Sequence, residues 1–246
     1  MKWIGYLLSS LWRIWFLIVF ILIFIAFIPV LFFFTAIYKN NKIVCHLTRY
    51  WSKLTLLLSF IIPQVEWEEE LNKKERYIFC PNHVSTLDIP LILAILPAPL
   101  QYMGKAEIAK IPLFGYFYKN NTVMVDRANR RDAYDAFLRA GEQLKKGINM
   151  CIFPEGGIPK ADIFLKKFKN GSFRLAIEQG IKTVPITMLD NKSMFPQEYF
   201  KGYPGIVRVK VHKAIDPITL TEKKIQNLNT LVYNAIFEQL NAYENK

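Results

Sequence analysis

YIFCPNHVSTLDIPLILAIL, residues 77–96, sets the reading of the whole chain. Tyr77 to Pro81 is a short apolar run of the kind that forms a buried strand, and from Ser85 the sequence STLDIPLILAIL predicts an apolar helix. A strand passing through a brief polar turn into a helix is the repeating unit of an α/β sheet. The unit recurs downstream. TVMVD (122–126) predicts a strand, and RRDAYDAFLRAGEQLKKG (130–147) a helix with Tyr134, Phe137, Leu138 and Leu144 on one face and Gly147 as its stop. NMCIFP (149–154) predicts a strand, GSFRLAIEQG (171–180) a helix closed by Gly180, and KTVPITML (182–189) a further strand. In IVRVKVHKAI (206–215) Val207, Val209 and Val211 alternate with Arg208, Lys210 and His212, the period of a half-buried strand. A final amphipathic helix is predicted from about Thr221, with Ile225, Leu228, Val232, Ile236 and Leu240 on its stripe. The expected fold is α/β, a mostly parallel or mixed sheet flanked by helices.

Upstream the composition is different. From Ile14 to Tyr38 there is no charged residue, a stretch longer than the ~20 residues that cross a hydrocarbon core. It ends without a small-residue cleavage site, so it is expected to be retained as a membrane-embedded helical segment. A single span fits. So does a helical hairpin dipping into one leaflet, because Pro29 can kink the helix and a second apolar stretch follows from Leu54. Basic residues flank the segment on both sides, Lys2 and Arg13 before it and Lys39, Lys42, Arg49 and Lys53 after it. That asymmetry points to a catalytic domain on the cytoplasmic face. The acidic run EWEEE after Pro63 marks the change to mixed composition, which divides the chain into an anchoring segment, residues 1–62, and a catalytic domain, residues 63–246.

The hydrophobic content of 52% agrees with a membrane segment, and the net charge of +12 calls for an anionic partner. Lysine and arginine are scattered without a nucleic-acid motif, so a lipid surface or a phosphorylated substrate is expected rather than nucleic acid. The three cysteines, Cys45, Cys80 and Cys151, match neither a disulfide framework nor a zinc spacing, which predicts a reducing compartment and no metal site. Cys80 and Cys151 lie in apolar runs and read as small buried hydrophobes.

Of the three histidines, His83 alone stands at a strand-to-helix turn, where α/β folds place functional groups. Ser85 and Asp88 have the spacing of a capping box. A carboxylate in the first helical turn can cap the helix and also accept a hydrogen bond from an imidazole just outside it. That would fix one ring nitrogen and leave the other to take a proton from a hydroxyl, making His83 a general base. Ser85 is expected to cap rather than to act as a nucleophile. Glu155, Gly156 and Gly157 form a turn whose backbone N–H groups could face an anion. His46 and His212 are expected to have structural or surface roles, Lys166, Lys167 and Lys169 to face lipid head groups or solvent, and the aromatics of MFPQEYFKGYPG (194–205) to pack within their loop.

NHVSTLD (82–88) resembles the first motif, N-H-x-x-x-x-D, of the glycerolipid acyltransferases of the lysophosphatidic acid acyltransferase type. GKAEIAKIPLFGYFYKNNTVMVDR (104–127) resembles the next block of that family at Lys105, Glu107, Pro112, Gly115, Asp126 and Arg127. FPEG (153–156), FKNGSFRLAIEQG (168–180) and TVPI (183–186) follow in the family order. The resemblance implies an acyl transfer from an acyl thioester, on coenzyme A or acyl carrier protein, to the free hydroxyl of a lysophospholipid, typically 1-acylglycerol 3-phosphate giving phosphatidic acid. It implies His83 and Asp88 as the catalytic pair, Asn82, Lys105, Arg127 and the Glu155–Gly157 turn in substrate binding, and no resident cofactor or metal.

One departure bears on the acceptor. The family's third block usually reads E-G-T-R, with the arginine on the acceptor phosphate, whereas this chain reads Glu155-Gly156-Gly157-Ile158-Pro159-Lys160. Ile158 cannot hold a phosphate. Lys160, Lys105 and Arg127 are the cations expected to share that task, though lysine lacks the bidentate fork of arginine. A different lysolipid acceptor, or a catalytically silent lipid-binding protein, are the alternatives this leaves open.

Overall fold

The computed structural model describes residues 2–126, 128–160, 162–220 and 223–245, without the side chains of Lys2 and Arg130. The chain opens with α1 (Lys2–Phe32), continued by a π-helical turn (Phe33–Ile37), and then α2 (Asn41–Leu58). Asn40 starts α2 by accepting the N–H groups of Lys42 and Ile43 on its side-chain oxygen. β1 (Ile61–Trp67), β2 (Tyr77–Pro81), α3 (Asp88–Ile95), β3 (Leu100–Lys105), α4 (Phe114–Asn121), β4 (Thr122–Val125), α5 (Arg130–Lys145) and β5 (Asn149–Cys151) follow. The chain finishes with α6 (Gly171–Gln179), β6 (Lys182–Met188), the short α7 (Asn191–Met194), β7 (Gly205–Val211) and α8 (Lys224–Glu244).

The strands make one seven-stranded sheet in the order β1-β7-β6-β2-β5-β3-β4. Every neighbouring pair is parallel except β6–β7, so the sheet is mixed and mostly parallel. Strand alternation sends the two faces to different helices. On β2, Tyr77 and Phe79 join one core with Leu87, Leu91 and Ile92, while Ile78 and Cys80 join the other with Phe173, Leu228 and Val232. Each such side chain contributes about 1.5–3 kcal/mol by leaving water.

Several expectations hold residue by residue. β2, β4, β6 and α6 fall where predicted, Gly180 ends α6 in the left-handed conformation at φ 63°, and Leu228, Val232, Ile236 and Leu240 are the buried stripe of α8. Others change. β1 and β3 were not predicted as strands. The helix expected from Ser85 begins at Asp88, because the preceding N–H groups are taken by the Asp88 side chain. On α5 the expected face holds in part, since Phe137 and Leu144 pack on the core. Tyr134 and Leu138 are exposed and the buried stripe is Ala136, Ala140 and Leu144, the two alanines letting the helix lie close on the sheet.

α2 docks against β1 and α3, and α1 packs on α2. Trp12 and Phe16 of α1 and Leu56 of α2 belong to the same buried cluster as Phe79 and Val207, and Trp12 Nε1 donates to Ser59 O at 3.0 Å. α1 with its continuation is long and apolar enough to cross a membrane by length and composition. Its outer side, including Trp3, Leu7, Leu11, Ile14, Ile18 and Leu22, is exposed.

Candidate active site

His83 lies just beyond the carboxyl end of β2, between β6 and β5 in the sheet order. Five residues later Asp88 opens α3, and a polar turn brings the two together. His83 Nδ1 stands 2.8 Å from Asp88 Oδ2. The same carboxylate oxygen accepts the backbone N–H groups of Val84 (2.8 Å) and Ser85 (2.9 Å), so Asp88 caps the turn and holds the imidazole at once. Asp88 is fully buried and the His83 side chain is 13% exposed, enough to present its outer nitrogen. A carboxylate only accepts, so Nδ1 carries a proton, and in the neutral imidazole the lone pair is on Nε2. The ring stacks on Phe153, just beyond the end of β5, with centroids 4.0 Å apart.

Ser85 is occupied. Its hydroxyl donates to Phe195 O at 2.5 Å and accepts from Leu87 N at 3.1 Å, a capping and tethering role rather than a nucleophile's. Phe195 in turn packs edge-on against Trp12 and beneath the Arg13 guanidinium, which ties the turn after His83 to α1.

Two residues expected to touch substrate face inward instead. Asn82 is fully buried, and its side chain accepts from Met188 N (2.7 Å) and donates to Met188 O (3.3 Å). It extends the β2–β6 ladder one step past Pro81, because a side-chain amide can replace the backbone pair where the strands part. Glu155 is also fully buried. Its Oε1 accepts the backbone N–H of His83 at 2.7 Å and its Oε2 that of Lys166 at 3.2 Å. Burial raises its pKa, and those two hydrogen bonds oppose the rise. Glu155 thereby holds the backbone of His83, and Asn82 fixes the strand end from which His83 follows.

Lys105 ends β3 at the same sheet edge, exposed and 3.5 Å from Glu107. Gly156 (φ +75°) and Gly157 (φ +147°) continue the Glu155 turn, and Lys160 beyond them is exposed. Arg127 lies outside the described residues. Among the described residues no group of His, Cys, Asp and Glu is arranged to hold a metal ion. Cys80 is free and buried, which pushes its thiol up to about 12, and Cys151 is likewise free and buried.

His46 is exposed on α2. His212 is buried, 2.8 Å from Thr187 Oγ1 and 3.3 Å from Glu68 Oε1, and burial lowers its pKa. The aromatic loop divides. Phe195 packs inward, whereas Tyr199 and Phe200 are 85% and 69% exposed, against the expectation of loop packing for all of them.

Asn191 is the site residue that sequence reasoning missed. It is fully buried at the start of α7, and its Nδ2 donates to Asp88 Oδ1 at 2.6 Å. The only cue in the sequence was its place in the turn that follows β6. Lys169, expected to face lipid or solvent, is exposed, and its side chain lies across Gly156.

The sequence profile of the family described as Acyltransferase matches residues 62–189. A 1-acyl-sn-glycerol-3-phosphate acyltransferase of Saccharomyces cerevisiae is 32% identical over 165 residues, 66% of this chain and 54% of the yeast protein. A protein of the same name from Borreliella burgdorferi is 25% identical over 189 residues, 76% of this chain and 75% of its own length. The chain thus spans about half of the yeast relative and about three quarters of the bacterial one. The crystal structure of the 1-acyl-sn-glycerophosphate (LPA) acyltransferase PlsC from Thermotoga maritima superposes with a TM-score of 0.79 at 26% identity, covering 100% of this chain and 99% of that one.

Proposed function

Because the chain belongs to the acyltransferase family, matching it over more than half its length, we propose that it moves a fatty acyl group from an acyl thioester to the free hydroxyl of 1-acylglycerol 3-phosphate, giving phosphatidic acid. The observation that carries this reading is the His83–Asp88 pair, with Nδ1 held at 2.8 Å and Nε2 left to work. Nε2 takes the proton of the acceptor hydroxyl as its oxygen attacks the thioester carbonyl. The tetrahedral intermediate then collapses, the C–S bond breaks, and the imidazolium returns the proton to the departing thiolate. Asp88 stabilises that imidazolium, and the four donors on Asp88 from His83, Val84, Ser85 and Asn191 keep it in place. The donor is acyl-CoA or acyl carrier protein as co-substrate, and general-base chemistry needs no resident cofactor.

The anchoring segment, residues 1–62, serves the domain that follows by holding it at the source of its acceptor. We assign α1 to one leaflet rather than to a span. Trp12 and Phe16 pack on Phe195, Phe24 on Phe114 and Phe117, and Phe32 on Tyr116. At 1.5 Å per residue those contacts run along about 30 Å of helix, the full depth of a hydrocarbon core. A helix pressed to a polar domain along that length has no free stretch left to span. Its exposed outer side would enter the lipid from the cytoplasmic face, with Tyr199 and Phe200 beside it at the interface.

Ile158, where the family has arginine, favours one second reading, an acyltransferase for another lysolipid. Lys105, Lys160 and Arg127 remain the proposed cations for a phosphate head group under the first. The test is thiol release that requires both lysophosphatidic acid and His83.

A further inference from the structure

We propose that Lys169 is a further cation that recognises the anionic head group of the acceptor, beside Lys105, Lys160 and Arg127, and supplies charge in the role vacated at Ile158; this rests on the acyltransferase reading above. The segment from Phe164 to Asn170 wraps the turn that carries Glu155. Leu165 and Phe168 bury it in the second core, and its backbone is stitched to the turn by Lys166 N on Glu155 Oε2 (3.2 Å) and Lys169 N on Pro154 O (2.8 Å). The Lys169 side chain then lies flat across Gly156. A Cβ placed on Gly156 would meet Lys169 Cε at 2.9 Å and Nζ at 3.0 Å, and the positive φ of +75° at that position also selects glycine. The turn therefore leaves room for this lysine.

Its location is adjacent to the chemistry. Glu155, the residue before Gly156, holds the backbone N–H of His83 at 2.7 Å. Among the described residues no carboxylate pairs with Lys169, whereas Lys105 already has Glu107 at 3.5 Å. Two residues on, α6 starts without a side-chain cap, since Asn170 Oδ1 accepts from Asn229 instead, so the positive end of that helix adds to the field of the ammonium. A lysine offers a point charge and not the fork of an arginine. The ligand class is accordingly a lysolipid bearing a terminal phosphate monoester, held by charge rather than by a fixed bidentate geometry.

The experiment uses the full chain in neutral-detergent mixed micelles with acyl-CoA as donor. Lys169→Met keeps the stem over Gly156 and removes the charge, and Lys169→Arg restores it. KM for lysophosphatidic acid is expected to rise about 10-fold in Lys169→Met, the scale of one charge-assisted hydrogen bond, and to recover in Lys169→Arg. The inhibition constant of the phosphate-free 1-acylglycerol and the KM for acyl-CoA should stay within about 2-fold of wild type. A parallel change for lysophosphatidic acid and 1-acylglycerol, no change for either, or a rise confined to acyl-CoA overturns the proposal. Equilibrium binding of lysophosphatidic acid separates the two readings. A wild type that binds it through Lys169 but never turns over sinks the acyltransferase reading alone, and binding unaffected by Lys169→Met sinks this one.

Discussion

Asn191 Nδ2 donates to Asp88 Oδ1 at 2.6 Å, joining residues 103 positions apart in the sequence. Asp88 Oδ2 is already shared by His83 and two backbone amides, so Asn191 is the group that holds the other oxygen and with it the plane of the carboxylate.

Asn191→Leu should therefore lower kcat by about 10- to 100-fold, the scale of a hydrogen bond to a charged group, with KM for both substrates little changed. Asn191→Asp is isosteric but donates only when protonated. Its activity relative to wild type should rise as pH falls, whereas that of Asn191→Leu should not. Parallel pH profiles for the two variants would reduce Asn191 to packing.

Burial raises the pKa of Glu155 above its usual 4.5. The native state then keeps the proton at pH values where the unfolded chain has lost it, so this group favours folding below 4.5. Its contribution declines as pH rises through the window up to the raised value. Glu155→Gln cannot ionise and should lack that decline. The thermal midpoint of the variant relative to wild type is expected to climb as pH is raised from below 4.5. A difference that stays constant with pH would show that Glu155 titrates as an ordinary glutamate.

The one-leaflet assignment is read from the ends of α1. Tyr6 and Tyr38 are both exposed, and the native cysteines are all buried. Single cysteines at Tyr6 and Tyr38 should react with a membrane-impermeant thiol reagent from the same side of a sealed vesicle. Labelling from opposite sides would establish a span.

What could be read in advance follows the range of the interactions. The succession from β2 to α3, the strand β6 and the stripe of α8 are local patterns of period two or 3.6, and they are visible in any short window. β1 was hidden because Ile61 and Ile62 prolong the apolar run of α2, with Pro63 arguing against a strand. β3, LQYMGK, has neither alternation nor β-branched residues and is a strand because β5 and β4 flank it. His83 and Asp88 lie five apart and were legible as a pair. Glu155 reaches His83 across 72 positions and Asn191 reaches Asp88 across 103, contacts that only the parallel sheet creates by bringing the ends of β5 and β6 beside β2. For the same reason Lys169 read as one of several surface lysines until Gly156 lay beneath it.

The most direct measurement is free-thiol release from acyl-CoA, and then from acyl carrier protein, by the purified protein in detergent with and without lysophosphatidic acid. Release is expected to require the lysolipid and to fall about 10²- to 10⁴-fold in His83→Ala, the contribution of a general base. Activity that survives in His83→Ala, or a wild type silent with both donors, would contradict the account.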